Sequence, residues 1–373
     1  MRRYKNILVT GGAGFIGSFL VDRLISDGKK VRILDNLEEQ VHFNKKPKYL
    51  NRKAQFIKGD VRNYNIFKKS LKDIDYVYHL ASAVGVSQSN YQIKRFVDAN
   101  IGGMSNLLDL LINRNHKVKK VITISSMTGY GEGNYKCDVC GIVRPPLRVE
   151  KQLKRKDWNL YCPTCGKIVR TVPTDENALD YPNSIYGFSK TAQQDMLLLI
   201  SKIYNIPSVV LRGFNIYGPR QSLSNPYTGV TAIFISRLKN NKSAVVYEDG
   251  LQTRDFVSVH DVVDALILAM DNDKANYQMF NIGSGKGTTI LEIAKTVSKL
   301  LGKKGLIQVN KNFRKNDIRH CFADITKAKK ILGWKPKVSL EEGLKELIEW
   351  SNTQKAEDRF SRAQRELQQK GLI

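Results

Sequence analysis

Tyr186 and Lys190 stand four residues apart in Tyr186-Gly187-Phe188-Ser189-Lys190. On a helix that spacing sends both side chains off one face. A free tyrosine ionises near pH ~10, and an ammonium one turn away favours its phenolate. Such a tyrosine can take a proton from an alcohol near neutral pH. A second group of residues points to a metal. Cys137-x-x-Cys140 and Cys162-x-x-Cys165 hold four of the five cysteines, and Cys321 stands apart. The two pairs are 21 residues apart, and each is followed by a glycine, Gly141 or Gly166, suited to a tight knuckle. In an intracellular chain such clustering argues for metal rather than disulfides. Two pairs make a tetrahedral Cys₄ zinc site with no position open for water, which is a structural rather than a catalytic centre. Arg148, Lys151, Lys154, Arg155 and Lys156 lie between the pairs. They would suit a nucleic-acid finger, but a solvated basic loop is the reading favoured here.

Elements that could position these groups follow from the start of the chain. Asn6–Thr10 is a short apolar strand, then comes Gly11-Gly12-Ala13-Gly14-Phe15-Ile16-Gly17, then an amphipathic helix over about 15–26. Strand, glycine turn and helix are the order of a dinucleotide fingerprint, in which backbone N–H groups approach a pyrophosphate. A second strand, residues 31–35, ends in Asp35, placed to bond the adenosine ribose hydroxyls and to repel a 2′-phosphate. NAD is therefore expected over NADP, although Lys29, Lys30 and Arg32 flank the acid. Strands are expected at 55–58, 75–80, 120–124 and 207–211, with helices over 94–112 and 184–203. Asp60 follows the third strand and should meet the adenine edge, and the small residues Ala81-Ser82-Ala83 after the fourth let a cofactor lie close. His79, at that strand end, is read as packed rather than catalytic. Alternating strands and helices indicate an α/β, Rossmann-type doubly wound parallel sheet, with ligands beyond its carboxyl edge.

Composition sets the limits. The 373 residues are 42% hydrophobic and 26% charged, enough for one large two-lobed domain or two domains. No apolar run approaches the ~20 residues of a membrane span. The basic start, Met1 to Asn6, leads into a run broken at Gly11-Gly12, a first strand and not a signal peptide. A cytoplasmic protein without membrane partners is expected. The net charge of +26 alone would suggest nucleic acid. The lysines are spread along the whole chain, however, and no basic helix or RNA-binding signature occurs, so no nucleic-acid partner is expected. Spread positive charge also attracts an anionic diphosphate.

With these motifs in order, the chain resembles the extended short-chain dehydrogenases/reductases of the NAD-dependent nucleotide-sugar epimerase/dehydratase family. The resemblance rests on TGGAGFIG (10–17), GDVRN (59–63), HLAS (79–82), ISSMTGYG (124–131), YGFSK (186–190), LRGFNIYGPRQ (211–221), TRDFVSVHDV (253–262), FNIGSG (280–285) and DIRHCFAD (317–324). It implies Ser126 as a hydroxyl hydrogen-bonded to the reacting oxygen, Tyr186 as base, and Lys190 also on the nicotinamide ribose. It places the cofactor against Gly11, Gly14, Phe15, Ile16, Gly17, Asp35, Asn36, Asp60, Val61, Leu80, Ala81, Ser82 and Asn100. Val84, Asn215, Arg220, Arg254 and Arg319 would meet the nucleotide-diphosphate sugar, the arginines as forked donors to its diphosphate. It further implies a homodimer in which helices 94–112 and 184–203 form a four-helix bundle with their mates. Dehydratases of the family carry Asp-Glu after the catalytic hydroxyl residue and decarboxylases a Glu at the second position, but this chain has Met127-Thr128. An epimerase acting at C4 is therefore expected, rather than a net NAD(P)-dependent oxidoreductase, a dehydratase, or a non-catalytic zinc-ribbon nucleic-acid module. The cysteine-bearing insert and SLSNPYTGV (222–230) are similar to those of a subgroup of C4 epimerases of dTDP-L-rhamnose.

The expected organisation is a dinucleotide domain over 1–211 that also receives about 252–283, a zinc-ribbon insert over 132–172, and a substrate domain from 212–251 and 284–350. Residues 222–241 should form a loop and helix over the substrate, and 340–350 an amphipathic helix. The charged tail, 351–373, is read as a helical extension without an assigned role.

Overall fold

Apolar residues in the first strand alternate between two cores, which is how a pleated strand serves a sheet covered on both faces. The structure, a computed structural model, describes residues 5–227 and 229–373. Arg2 and Arg3 of the basic start, and Thr228 of the 222–230 stretch, lie outside the described residues. Seven strands form the main sheet: β1 (Asn6–Thr10), β2 (Lys30–Asp35), β3 (Gln55–Lys58), β4 (Tyr76–His79), β5 (Lys120–Ser126), β6 (Ser208–Gly213) and β7 (Gln278–Ile282). All pair in parallel, in the order β7-β6-β5-β4-β1-β2-β3. The order reverses between β1 and β4, so a crevice for ligands opens beyond their carboxyl ends.

Ile7 and Val9 face one core, with Leu20, Val21 and Leu24 of the helix Phe15–Ser26 and Val262 and Leu266 of Val259–Asp271. Leu8 faces the other, with Leu107, Leu108 and Leu111 of Gly103–Asn113 and Leu197 of the helix Ile185–Ile203. The expected helix over 94–112 is present, but Val97–Gly102 within it winds as a π-turn. The edge strand β7 runs into the FNIGSG stretch, which sequence alone marks only as a family motif.

A third core belongs to the opposite lobe. Phe234 of Val230–Lys239, Ile293 and Val297 of Ile290–Leu300, and Leu344 and Leu347 of Leu340–Asn352 pack together. Capping boxes start two of these helices, Thr289 with Glu292 and Ser339 with Glu342. The insert is a small antiparallel ribbon in which Tyr135–Cys137 lies between Gly141–Val143 and Arg170–Thr171. Its own core is only Tyr135, Cys137, Leu160, Cys162 and Val169. Lys151, Lys154, Arg155 and Lys156 are exposed, as in a solvated loop. Arg148 departs from that reading. Its side chain is 1% exposed and forks onto Glu248, itself 3% exposed, at 2.8 and 3.0 Å. A buried charge needs such a partner, and the pair bolts the ribbon to the substrate lobe. The tail helix, Phe360–Gln369, does not project as an extension, because Ala363 and Leu367 are buried. Among the described residues no helix is long and apolar enough to cross a membrane.

Candidate active site

The Tyr186 helix is held at its first turn by its neighbours. Ser184 caps it, accepting from the Gly187 N–H at 3.1 Å. Asn90 Oδ1 accepts from the Ile185 N–H at 3.1 Å and Ser89 Oγ from the Tyr186 N–H at 2.9 Å. Donors that a helix start leaves unpaired are thereby satisfied by the segment before the π-turn. The Tyr186 ring meets Phe96 edge-on, with centroids 6.3 Å apart. Ser126, at the end of β5, accepts from the Thr128 hydroxyl at 3.0 Å.

Ser126, Tyr186 and Lys190 line one cavity of about 800 Å³. Burial pushes the Tyr186 phenol above its ordinary value, and a hydrogen bond with Ser126 acts against that shift. Burial lowers the Lys190 ammonium to about 7, and its Nζ donates to Gln193 Oε1. The expectation was a phenolate favoured by the Lys190 ammonium; in the structure desolvation is the largest influence at both groups, and the hydrogen bond that opposes it at Tyr186 comes from Ser126. His79 is packed, as expected. It is fully buried, bonded through Nδ1 to Thr10 Oγ1 at 3.0 Å and stacked on Phe67. Burial holds its imidazole down to about 3, so it has no charge to offer near neutral pH.

The cavity runs along the carboxyl edge of the sheet. Gly11, Gly14, Phe15, Ile16 and Gly17 line it, with Asp35, Asn36, Asp60, Val61, Leu80, Ala81 and Ser82. No side chain caps the helix that starts at Phe15, so its N-terminal N–H groups are left to the cavity. A Cβ on Gly17 would come within 2.2 Å of the Gly11 carbonyl oxygen, so the helix closes onto the turn only with glycine there. Asp35 accepts from the Ala13 and Leu37 N–H groups at 3.0 and 2.8 Å. Its remaining lone pairs suit ribose hydroxyls. Arg32 is turned away, onto Gln55 and the Ser70 and Lys72 carbonyls. An uncapped helix start, a glycine turn and a buried acid fit a dinucleotide.

Three expected contacts lie off the cavity wall. Asn100 is fully buried, and its amide is used up by Ser82, Ala83 and Ser189. It braces the β4 loop against the Tyr186 helix. Arg220 pairs with Asp22 at 2.7 Å and lies over Phe19 and Tyr49. Arg319 forks onto Asp249 at 2.7 Å and also reaches Glu248. Both guanidiniums are committed to protein carboxylates.

Val84, Asn215 and Arg254 do line the cavity. Asn215 Oδ1 is buried without a hydrogen-bond partner among the described residues, as is Gln221 Oε1 on the same wall. Arg254 donates to Asp317 at 3.1 Å and to the Ile318 carbonyl at 2.8 Å. Sequence reasoning missed Arg314, Tyr227, Tyr247 and the tail residues that also line it. Tyr227 falls in the 222–241 stretch expected over the substrate but was not singled out there, and Tyr247, Arg314 and the tail residues sit in segments without periodic or motif signal.

The four cysteines converge. All four sulfurs of Cys137, Cys140, Cys162 and Cys165 lie within 4.8 Å of one another, and the Cys137 and Cys165 sulfurs are 3.5 Å apart. Thiolates bound tetrahedrally at ~2.3 Å from one zinc would stand about 3.8 Å apart, so the set fits that ion. Gly141 and Gly166 hold φ of 78° and 71°, the left-handed knuckle expected after each pair. Backbone N–H groups of Cys165 and Thr164 lower the Cys162 thiol to about 6. No ribbon residue lines the cavity. The ribbon touches the substrate lobe instead through Arg148, on Glu248, and through Glu132, which accepts from the Arg319 N–H at 2.7 Å.

Residues 7–144 match the model of the NAD dependent epimerase/dehydratase family, and residues 165–347 that of GDP-mannose 4,6 dehydratase. The dTDP-L-rhamnose 4-epimerase of Burkholderia thailandensis is 37% identical over 352 residues, covering 93% of this chain and 94% of that one. The structure of UDP-glucose 4-epimerase from Thermotoga maritima with UDP-glucose has a TM-score of 0.77 at 35% identity, covering 93% of this chain and 99% of that one. UDP-glucuronic acid 4-epimerase from Bacillus cereus, in complex with UDP-glucuronic acid and NAD, also scores 0.77, at 28% identity with the same coverage. Neither family model extends over 145–164, inside the ribbon, or beyond 347.

Proposed function

The chain belongs to the NAD-dependent epimerase/dehydratase family of nucleotide-sugar enzymes, and on that premise we propose that it inverts C4 of a sugar of the dTDP-L-rhamnose type. The observation that carries this reading is that, among the described residues, no free carboxylate lines the cavity with Ser126 and Tyr186. Position 128 holds a threonine that donates to Ser126. The acids that line the cavity are engaged elsewhere: Asp35 on the glycine turn, Glu38 with Arg95, Asp60 with Arg62 and Asp317 with Arg254 and Arg314. Dehydration needs acid–base groups for a second proton and a leaving hydroxyl. Epimerisation needs only one base and a hydride carrier.

Bound NAD would supply the hydride acceptor and donor at C4. Tyr186 takes the C4 hydroxyl proton, Ser126 orients that oxygen, and Tyr186 returns the proton after the flat 4-keto sugar has turned over. Asn215 and Arg254 are proposed to hold the nucleotide diphosphate. Zinc in the Cys₄ site is proposed as a structural ion that orders the ribbon. The rival reading, a ribbon that holds nucleic acid, loses Arg148 to Glu248. Incubation with dTDP-, UDP- and GDP-sugars, followed by proton NMR, tests the reaction. A new C4 epimer with no other change supports it, and a 4-keto or decarboxylated product sinks it.

Protein as purified should release about one NAD per chain on denaturation, and turnover should consume no added cofactor. The retained cofactor is read by chromatography of the supernatant. NADH appearing in step with product would make the enzyme a net dehydrogenase.

A dimer is proposed because Ile93, Phe188, Leu199 and Ile203 leave large apolar side chains 51–61% exposed on the two helical runs expected to pair. Light scattering at micromolar concentration should give twice the 42.3 kDa chain mass. Phe188→Glu with Leu199→Glu should halve it. A monomeric mass for the unaltered protein defeats the proposal.

A further inference from the structure

The tail had no role in sequence, and both family models stop before it. It is tied down on both sides of the cavity. On the substrate lobe, the Asp358 side chain, 3% exposed, pairs with Arg237 and Lys242 at 3.4 and 3.0 Å. The Arg237 guanidinium lies 4.4 Å from the centre of the Phe360 ring. The Leu372 carbonyl accepts from the Lys315 N–H at 3.0 Å. On the dinucleotide lobe, Arg359 lies over Phe43, and Tyr91 donates to Tyr227 of the substrate lobe, which donates to Glu366 at 2.5 Å.

Between these ties the helix presents Phe360, Ala363, Gln364 and Leu367 to the cavity. Those positions are i, i+3, i+4 and i+7, one face of a helix. Three are apolar, and the fourth is an amide with no hydrogen-bond partner among the described residues. Such a face offers shape, dry surface and one polar contact, the composition of a ligand wall.

We propose that the tail helix is part of the substrate site, with Gln364 a specificity-determining contact to the nucleotide-diphosphate sugar. The chain's own C-terminus thus forms a strap across the chamber, which must lift for substrate to pass and settles once it is bound. This rests on the nucleotide-sugar reading above.

The test uses full-length Tyr186→Phe protein, so that sugars bind without turnover, and the probes dTDP-L-rhamnose and UDP-glucose. Calorimetry first measures both affinities. Hydrogen exchange over 356–372 should then slow on saturation with the probe that binds. Adding Gln364→Ala should weaken that probe by about five- to tenfold, one lost hydrogen bond, and change the ratio between the two sugars. NAD content and melting temperature should stay unchanged. A chain ending at Thr353 should lose more affinity. Where that truncation fails to fold, the point variant decides. If neither probe binds, the dTDP-L-rhamnose-type reading fails and this proposal with it. If a probe binds, but tail exchange and the Gln364→Ala affinity stay as they were, only this proposal is overturned.

Discussion

Tyr186→Phe should lower kcat by about 10²–10⁴-fold, the usual worth of a positioned acid–base group. Only the phenolic oxygen is removed. The ring keeps its edge contact with Phe96, and the residue's N–H keeps Ser89. The uncapped helix start and the Asp35 pocket lie at a distance along the sheet edge, so NAD content should equal that of the unaltered protein. Substrate KM should move little, because an interaction made chiefly in the transition state is lost. Turnover near the unaltered rate would remove Tyr186 as base. Loss of both NAD and turnover would instead mean that the residue holds the fold.

Changing Cys137 and Cys140 to Ser should release zinc and loosen residues 132–172. The ribbon's own core is five side chains, two of them cysteine, too little to order such a segment by burial alone. In metal ribbons the binding energy is folding energy. Arg148 transmits the damage. It holds Glu248 and donates to the Asp317 carbonyl, and the Asp317 carboxylate in turn holds Arg254 on the cavity wall. Misplacing a positioning group by about 1 Å can cost up to 10²-fold. Substrate KM should therefore rise, or kcat fall, by up to that factor while NAD stays bound. Elemental analysis of protein purified without chelator should give about one zinc per chain, and less than half would count against a stable Cys₄ site. Unaltered kinetics in the zinc-free variant would leave the metal without the proposed function.

Much of the dinucleotide half was legible because it is local. A strand, a glycine turn and an acid at the end of the next strand fall within residues 6–35 of the chain. The Cys₄ set was legible from spacing alone, since two C-x-x-C pairs, each followed by a knuckle glycine, are a local signal, and their sulfurs do converge. Pairing between remote segments was not legible. Arg220 and Arg319 looked like diphosphate ligands, but nothing local says that Asp22 or Asp249 will claim them. Asn100 sits in a helix pattern that gives no sign of the π-turn or of an amide spent on Ser82, Ala83 and Ser189. The tail reads as charged because its exposed face dominates the composition. The four residues turned to the cavity are too few to stand out.

The cavity wall draws on residues from Gly11 to Leu372, nearly the whole chain, and this bears on how the protein is made. Ribosomes release a chain from its N-terminus at about 5–20 residues per second, and domains fold as units as they emerge. Once β7 is out, all seven strands and the proposed dinucleotide edge exist. A dinucleotide can then bind the nascent fold and stabilise it by mass action. The nucleotide sugar cannot do so, because Arg314, Asp317 and the strap are still to come. The cofactor is thus expected to be acquired during synthesis and the substrate chamber closed by the last residues made. A protease nick at the exposed Thr353-Gln354-Lys355, followed by loss of the fragment beyond it, would reverse only the final step, leaving a loaded enzyme with an open chamber.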